Sequence, residues 1–165
     1  MKKWDIKVTT SGLLPSRNME PELQVPKVQS AHAILILDGN YILQLRDEKP
    51  TIAAAGQWAL FGGRMNVGET PLQTIKREVY EELSIEPVEY DYLWFADYFA
   101  SFEKTVIRTW FFASDVTTVW PRKELREGEA VRAFEFKQLA SLDMPSVIYQ
   151  TLERFHRQVR GECEN

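Results

Sequence analysis

The chain has 165 residues, 44% of them hydrophobic and 27% charged, a composition typical of one globular domain with a sizeable core. A formal net charge of -4 at pH 7 argues against general electrostatic attraction to a nucleic-acid backbone, so no nucleic-acid partner is expected. We expect no signal peptide and no membrane span, and the only cysteine, Cys163, has no disulfide partner, which favours a cytoplasmic location.

Three regions are expected along the chain. Residues 1–29 combine a predicted strand at 4–9 with a stretch rich in proline and glycine, and we interpret them as an N-terminal extension. Residues 30–160 are expected to form the domain, and residues 161–165 a polar tail. The extension could pair with a second subunit, so a homodimer stays open.

Several runs rich in β-branched and aromatic residues predict strands. The first two flank Asp38-Gly39-Asn40, a turn signal that predicts a β-hairpin, and a later pair predicts a second hairpin. The predicted strands are 31–36, 41–45, 58–61, 88–99, 105–113 and 131–136.

A well-punctuated helix is predicted over 71–83. Thr70 can serve as the N-cap, Pro71 fits the first helical position, and Gln73 fits the third position of a capping box. The residues expected to face the core recur every three or four positions: Leu72, Ile75, Val79 and Leu83.

A second helix is predicted over 145–160, with a core-facing stripe of the same spacing: Ile148, Leu152, Phe155 and Val159. Strands that come before, between and after two helices predict an α/β domain.

Three glutamates crowd one side of the first predicted helix. At about 100° per residue, Glu78, Glu81 and Glu82 fall within an arc of about 100° beside the apolar stripe. Like-charged neighbours of this kind each cost roughly 0.2 to 0.5 kcal/mol, and anions in a last helical turn cost about 0.3 to 1 kcal/mol more. A solvated charged face is the plain alternative, but a hard divalent cation with oxygen ligands would turn this repulsion into binding energy.

A glycine pair precedes this helix and sets a recognisable spacing. Gly62 and Gly63 allow a close approach of the backbone to a ligand, although a Gly-Gly pair alone is equally typical of an ordinary loop. The whole segment resembles the box of the Nudix family, G-x5-E-x7-R-E-U-x-E-E-x-G-U, where U is aliphatic. The match departs from the box only at Ser84, where the family has glycine, and its fixed residues are Gly63, Glu69, Arg77, Glu78, Glu81 and Glu82.

The resemblance implies a Nudix-type α/β/α sandwich with a mixed β-sheet and a divalent-metal site. Carried over to this chain, it implies that Glu78 and Glu82 are metal ligands and that Glu81 is a ligand or a water-mediated partner. The carbonyl of Gly62 or Gly63 is expected to face the metal. Mg²⁺ is the expected cofactor, with Mn²⁺ as a substitute.

Further roles follow from the resemblance and from the charge of the expected substrate. Arg77 is expected to orient the carboxylates, and Glu69 to be structural. The loop 126–129 resembles the one that supplies a general base in MutT-type members, which makes Glu127 the candidate base and Glu129 the reserve, against the alternative of a solvated turn. The candidates for binding substrate are Gly63, Arg46 and Arg64.

The implied activity is Mg²⁺-dependent hydrolysis of the diphosphate linkage in a nucleoside diphosphate derivative, by attack of water at phosphorus. Nucleoside triphosphates, oxidised nucleotides and nucleotide sugars all stay open as the small-molecule substrate. Prenyl diphosphate isomerisation is disfavoured because Cys163 lies in a terminal tail. A non-catalytic Nudix-like module that senses a nucleotide or sugar is the alternative, although such a module would have little reason to keep the repelling glutamates.

Overall fold

The computed structural model describes residues 25–160, and the side chains of residues 25–159. The predicted strand at 4–9 and the tail 161–165 lie outside the described residues. The strands are β1 (Val28–Leu37), β2 (Asn40–Leu45), β3 (Trp58–Ala59), β4 (Phe61–Arg64), β5 (Asp91–Ala100), β6 (Thr105–Asp115) and β7 (Ala130–Phe134). The helices are α1 (Pro71–Leu83), α2 (Phe136–Leu139) and α3 (Ser146–Arg160), and a short 3-10 helix spans Trp120–Arg122.

One mixed sheet organises the described part of the chain. Its strand order is β3-β2-β1-β6-β5, while β4 also pairs with β1 and β7 also pairs with β2. The long pairing of β1 with β6 is parallel, and the other pairings are antiparallel. β1 is therefore the central strand, and it carries β4, the strand that leads into α1.

Both predicted hairpins are present. The turn between β1 and β2 places Asp38 at φ 49° and Gly39 at φ 81°, the left-handed pair that a tight hairpin turn requires. The second hairpin joins β5 to β6, and a β-bulge lies between Tyr92 and Trp94. Three strand predictions need correction. The run 58–61 is divided between β3 and β4, and the run 88–99 becomes a strand only from Asp91 onward. The last strand ends at Phe134 because Glu135 caps α2.

Helices pack on both faces of the sheet, which confirms the α/β/α sandwich. Alternate residues of a strand point to opposite faces, and β1 follows this rule by placing Ala33 in the cluster under α1 and Ile34 in the cluster under α3. The core residues of α1 are Ile75, Val79 and Leu83, and those of α3 are Ile148, Leu152 and Phe155.

The predicted stripes were too long by one residue each. Leu72 is 40% exposed and Val159 is 37% exposed, and neither belongs to a core cluster. Leu72 lies in the first turn of α1 and Val159 in the last turn of α3. The opposite ends of the two helices are covered, because Leu83 and Ile148 are buried.

The ends of α1 show how the box helix is bounded. The Thr70 side chain accepts a hydrogen bond from the Gln73 amide, and the Gln73 side chain accepts one from the Thr70 amide, which confirms the predicted capping box. Ser84 ends the helix at φ 55°, so serine adopts here the left-handed conformation that glycine favours. Among the described residues, no helix is both long and apolar enough to cross a membrane.

Candidate active site

Glu82 is the most deeply buried acidic residue of the box helix. Only 3% of it is exposed. Its Oε1 accepts a hydrogen bond from Gln44 Nε2 at 2.8 Å, and its Oε2 accepts one from the Gly62 amide at 3.0 Å. Burial raises the pKa of Glu82 to about 8, because desolvation disfavours the charged form more than these two donors favour it.

Glu78 lies one turn earlier on α1, against Gly63, the second residue of the glycine pair. A β-carbon on Gly63 would lie 2.6 Å from the carboxyl atoms of Glu78, so this carboxylate can take its place only because residue 63 has no side chain. Burial raises the pKa of Glu78, and the neighbouring Arg77 opposes that rise. The negative charge of Glu78 in turn contributes to the raised pKa of Glu82.

Arg77 links the acidic residues of the box through one guanidinium group. Its Nε donates to Glu69 Oε1 at 2.7 Å, and its Nη1 donates to Glu78 Oε1 at 2.6 Å and to Glu81 Oε2 at 3.1 Å. Its Nη2 donates to the Arg64 carbonyl at 3.1 Å and to Glu69 Oε2 at 2.9 Å. These contacts raise the pKa of Arg77 and fix it between the loop before α1 and the glutamates on α1.

Glu69 holds the loop between β4 and α1. Besides the paired contact with Arg77, its Oε2 accepts hydrogen bonds from the Asn66 amide at 2.9 Å and from the Thr74 hydroxyl at 3.0 Å. These donors hold the pKa of Glu69 well below its usual range, with the Arg77 hydrogen bond as the largest cause. These contacts fit the structural role expected of Glu69, which joins the loop to α1 through Asn66, Thr74 and Arg77.

A pocket of about 440 Å³ opens beside Glu82. Its lining combines cationic and anionic side chains, the pattern expected where a polyanion meets a metal. The lining residues are Gln44, Arg46, Asp47, Lys49, Ile52, Glu82, Arg126, Glu127 and Gly128.

The loop that carries Glu127 is anchored at both ends to the elements of the site. The Arg126 amide donates to the Glu82 carbonyl at 2.9 Å, and the Glu129 amide donates to the Leu45 carbonyl at 2.8 Å. Glu127 is exposed on the pocket wall, and its charge contributes to the raised pKa values of Glu78 and Glu82. Glu127 and Glu82 therefore line the same pocket.

The other candidates occupy different places. Arg46 lines the pocket, with its Nε donating to the Ala53 carbonyl at 2.9 Å. The Arg64 guanidinium lies outside the pocket lining, 3.9 Å from Glu103 on the turn between β5 and β6. Glu81 is half exposed on the outer side of α1, where it contacts Arg77.

Sequence reasoning missed several residues of the site, namely Gln44, Lys49, Ile52 and Gly128. Gln44 carried a usable signal, because it is a polar residue that follows three apolar residues within a predicted strand. Gly128 has φ 82°, and a β-carbon there would lie 2.8 Å from the Leu45 carbonyl oxygen. Only the folded chain brings this loop to the end of β2.

Divalent metal binding fits the donor chemistry of the buried carboxylates. Within residues 25–160 no three His, Cys, Asp or Glu side chains already converge as a metal site. Glu78 and Glu82 nevertheless offer hard oxygen donors beside the backbone of Gly62 and Gly63, and the pKa values of both carboxyls are raised by burial. A bound cation would offset that cost of ionisation, so the residues present fit a divalent ion.

Comparisons with known proteins agree with this geometry. The NUDIX domain profile matches residues 27–155, and no curated protein matches the chain. The structure resembles the MutT protein from Methanosarcina mazei Go1, with 21% identity, a TM-score of 0.68, and coverage of 86% of this chain and 99% of that one.

Two further solved structures share the fold. The NUDIX domain of Shewanella oneidensis NrtR complexed with ADP ribose has 17% identity and a TM-score of 0.66, covering 88% of this chain and 94% of that one. The E. coli dihydroneopterin triphosphate pyrophosphohydrolase has 19% identity and a TM-score of 0.64, covering 77% and 93%. The profile spans most of the chain, and the fold and box residues agree with it. The chain therefore belongs to the NUDIX domain family.

Proposed function

We propose that this protein is a Mg²⁺-dependent hydrolase that cleaves the diphosphate linkage of a nucleoside diphosphate derivative by attack of water at phosphorus. One observation carries the proposal. The carboxylates of the partly buried Glu78 and the buried Glu82 lie beside the glycine pair, and Glu82 lines a pocket that Glu127 also lines. Ionised carboxylates in this arrangement are destabilised by burial and by mutual repulsion, and a bound divalent cation would offset both effects.

Glu78 and Glu82 would hold the metal, with Glu81 as a further or water-mediated ligand and a carbonyl of Gly62 or Gly63 facing it. When bound, Mg²⁺ neutralises phosphate oxygens and makes a coordinated water more acidic. The chain itself holds the carboxylates in place: Gly62 and Gln44 orient Glu82, and Arg77 orients Glu78.

Glu127 is the proposed general base. It is exposed at the pocket, so it can accept a proton from a water there, and the loop that carries it is held at the Glu82 and Leu45 carbonyls. Glu129 is less well placed, because its Oε1 accepts a hydrogen bond from the Glu48 amide at 3.3 Å and it is not among the residues that line the pocket.

Three cationic side chains at the pocket can bind the substrate phosphates. These are Arg46, Lys49 and Arg126, and each already has a local partner that holds it near the pocket. The Glu78 carboxylate occupies the space over the α-carbon of Gly63, so Gly63 makes room for that carboxylate instead of for the substrate. Arg64 would bind the outer part of the substrate. The ADP ribose and the dihydroneopterin triphosphate named for two similar structures support a small nucleotide-like substrate.

The test is a substrate panel in ¹⁸O-labelled water, with and without Mg²⁺. Nucleoside triphosphates, oxidised nucleotides and nucleotide sugars are each offered, and the products are analysed by mass spectrometry. We expect cleavage of a phosphoanhydride bond only with the metal, and the label on one phosphate identifies the phosphorus attacked. A separate light-scattering measurement of molar mass tests whether the chain forms a homodimer, as expected if residues 1–29 pair with a second subunit. Binding of a panel compound without turnover would instead support a sensing module.

A further inference from the structure

Gln44 is a buried polar residue at a position where β2 is otherwise apolar. It is 2% exposed and follows Tyr41, Ile42 and Leu43, which are all buried core residues. Burial of an amide is costly unless its polar atoms are hydrogen-bonded. The Gln44 amide nitrogen donates to Glu82 Oε1 at 2.8 Å and approaches the Leu60 carbonyl at 3.4 Å, so its donors point into the site.

The carbonyl side of the same amide faces the loop that carries Glu127. A β-carbon on Gly128 would lie 3.1 Å from Gln44 Oε1, and the Leu45 carbonyl, one residue after Gln44, would lie 2.8 Å from that β-carbon. The loop can therefore lie against β2 only with glycine at position 128. Gln44 thus lies between the Glu82 carboxylate on one side and the Glu127 loop on the other.

A neutral donor at this position differs chemically from an arginine. Glu78 is held by the guanidinium of Arg77, which is a full positive charge, whereas Glu82 is held by two neutral donors, the Gln44 amide and the Gly62 backbone amide. Neutral donors fix the direction of a carboxylate and leave its charge available for a cation. Each oxygen of Glu82 receives one such donor, which sets the rotation of the carboxylate about its own axis.

We propose that Gln44 is a positioning residue for the metal site. It holds Glu82 in its metal-binding orientation and keeps that carboxylate at a fixed distance from the Glu127 loop. This inference rests on the proposed function, because it assigns Glu82 to a divalent ion. Residues that orient metal ligands in this way typically change metal affinity by about 10- to 100-fold when they are replaced.

The test is Gln44→Met, which keeps the length of the side chain and removes its donors. Mn²⁺ affinity is measured by electron paramagnetic resonance on the metal-free protein, beside kcat and KM for a compound that the wild type cleaves. We expect Mn²⁺ to bind about 10- to 100-fold more weakly. We also expect kcat to fall, KM for substrate to change little, and the far-UV circular dichroism spectrum to stay the same.

Gln29→Met is the matched control. Gln29 lies on β1, its Oε1 accepts a hydrogen bond from Trp110 Nε1 at 2.9 Å, and it is not among the residues that line the pocket. The control should keep wild-type Mn²⁺ affinity and kcat. Should Gln44→Met fail to fold, Gln44→Asn replaces it, because the shorter amide cannot span the distance to Glu82 and should weaken Mn²⁺ binding in the same way.

Two outcomes separate this inference from the proposed function. If the wild type binds Mn²⁺ and hydrolyses its substrate while the Gln44 variant keeps the same affinity and kcat, the inference is overturned and the function stands. If the wild type itself neither binds Mn²⁺ nor cleaves any phosphoanhydride, the function is overturned and the inference falls with it.

Discussion

The carboxyl group of Glu78 lies in the space that a β-carbon on Gly63 would need, since its atoms would be 2.6 Å from such a carbon. Real β-carbons do not come so close to a carboxyl group, so the position of the Glu78 carboxyl group depends on glycine at position 63. The need for glycine at position 63 is thus explained by a carboxylate, whereas the need for glycine at position 62 is explained by its φ of 137° and by the Ala31 backbone packed against it.

Gly63→Ala should therefore displace the Glu78 carboxylate. We expect kcat/KM to fall about a hundredfold, because a shift of about 1 Å in a catalytic group has effects of that size. Steady-state kinetics measures the fall in kcat/KM, and thermal unfolding measures any change in the stability of the variant. Gly39→Ala, at the open tip of the first hairpin, is the control and should lower stability without lowering kcat/KM. An alanine at 63 with wild-type kinetics would show that Glu78 is not needed in this position.

Replacement of Arg77 by lysine should remove hydrogen bonds that hold the carboxylates of Glu69, Glu78 and Glu81 in place. Lysine cannot reproduce the planar contacts to Glu69, Glu78 and Glu81, so we expect a loss of roughly 1 to 3 kcal/mol of stability together with a lower kcat. Urea unfolding and steady-state kinetics test this. Stability and kcat both equal to wild type would contradict the role assigned to Arg77.

The stability of the metal-free protein should fall as pH rises from 6.5 to 8. Glu82 has a pKa of about 8 when folded and an ordinary value near 4.5 when unfolded, so in this window the folded state binds more protons than the unfolded state. Stability then decreases by at most about 1.4 kcal/mol per pH unit. Below pH 6.5, His32 contributes the opposite slope, because burial lowers its pKa to about 4.

Urea titrations at several pH values without metal measure this slope, and Glu82→Gln should flatten it because glutamine does not titrate. Addition of Mg²⁺ should stabilise the wild type more at pH 8 than at pH 6.5, because the metal binds the ionised carboxylate. A wild-type slope unchanged by Glu82→Gln would contradict the burial of an ionisable group at this position.

Glu127→Gln should lower kcat by about 10² to 10⁴, the usual contribution of a general base, with little effect on Mn²⁺ affinity. Glu89→Gln, an exposed glutamate outside the pocket lining, is the matched control. This loss of kcat should appear only in the Glu127 variant. If Glu129→Gln lowered kcat in this way while Glu127→Gln did not, the general base would be Glu129 and not Glu127.

The local part of the site was predictable from the sequence because it lies within one continuous segment. The capping box at Thr70, the bounds of α1 and the shared side of Glu78 and Glu82 all follow from spacing along a helix. The hairpin at Asp38 and Gly39 was predictable for a similar reason, because its turn type demands particular residues.

The parts that depend on long-range contacts were not predictable. Gln44 acquires its role from Glu82, which is 38 residues away in the chain, and Gly128 acquires its role from β2. The exposure of Leu72 depends on where the sheet ends beneath α1, which helical spacing alone does not reveal. Phe136 was assigned to a strand by its aromatic side chain, but the cap at Glu135 starts a helix there.

The most direct measurement is kcat, with Mg²⁺ and a hydrolysed substrate, for Glu78→Gln and Glu82→Gln. Each change keeps the shape of the side chain and removes the charge that would bind the metal and stabilise the transition state. We predict a loss of at least about a hundredfold in kcat for each variant, with circular dichroism spectra like those of the wild type. Near-normal turnover in either variant would contradict the assignment of these buried carboxylates to a catalytic metal site.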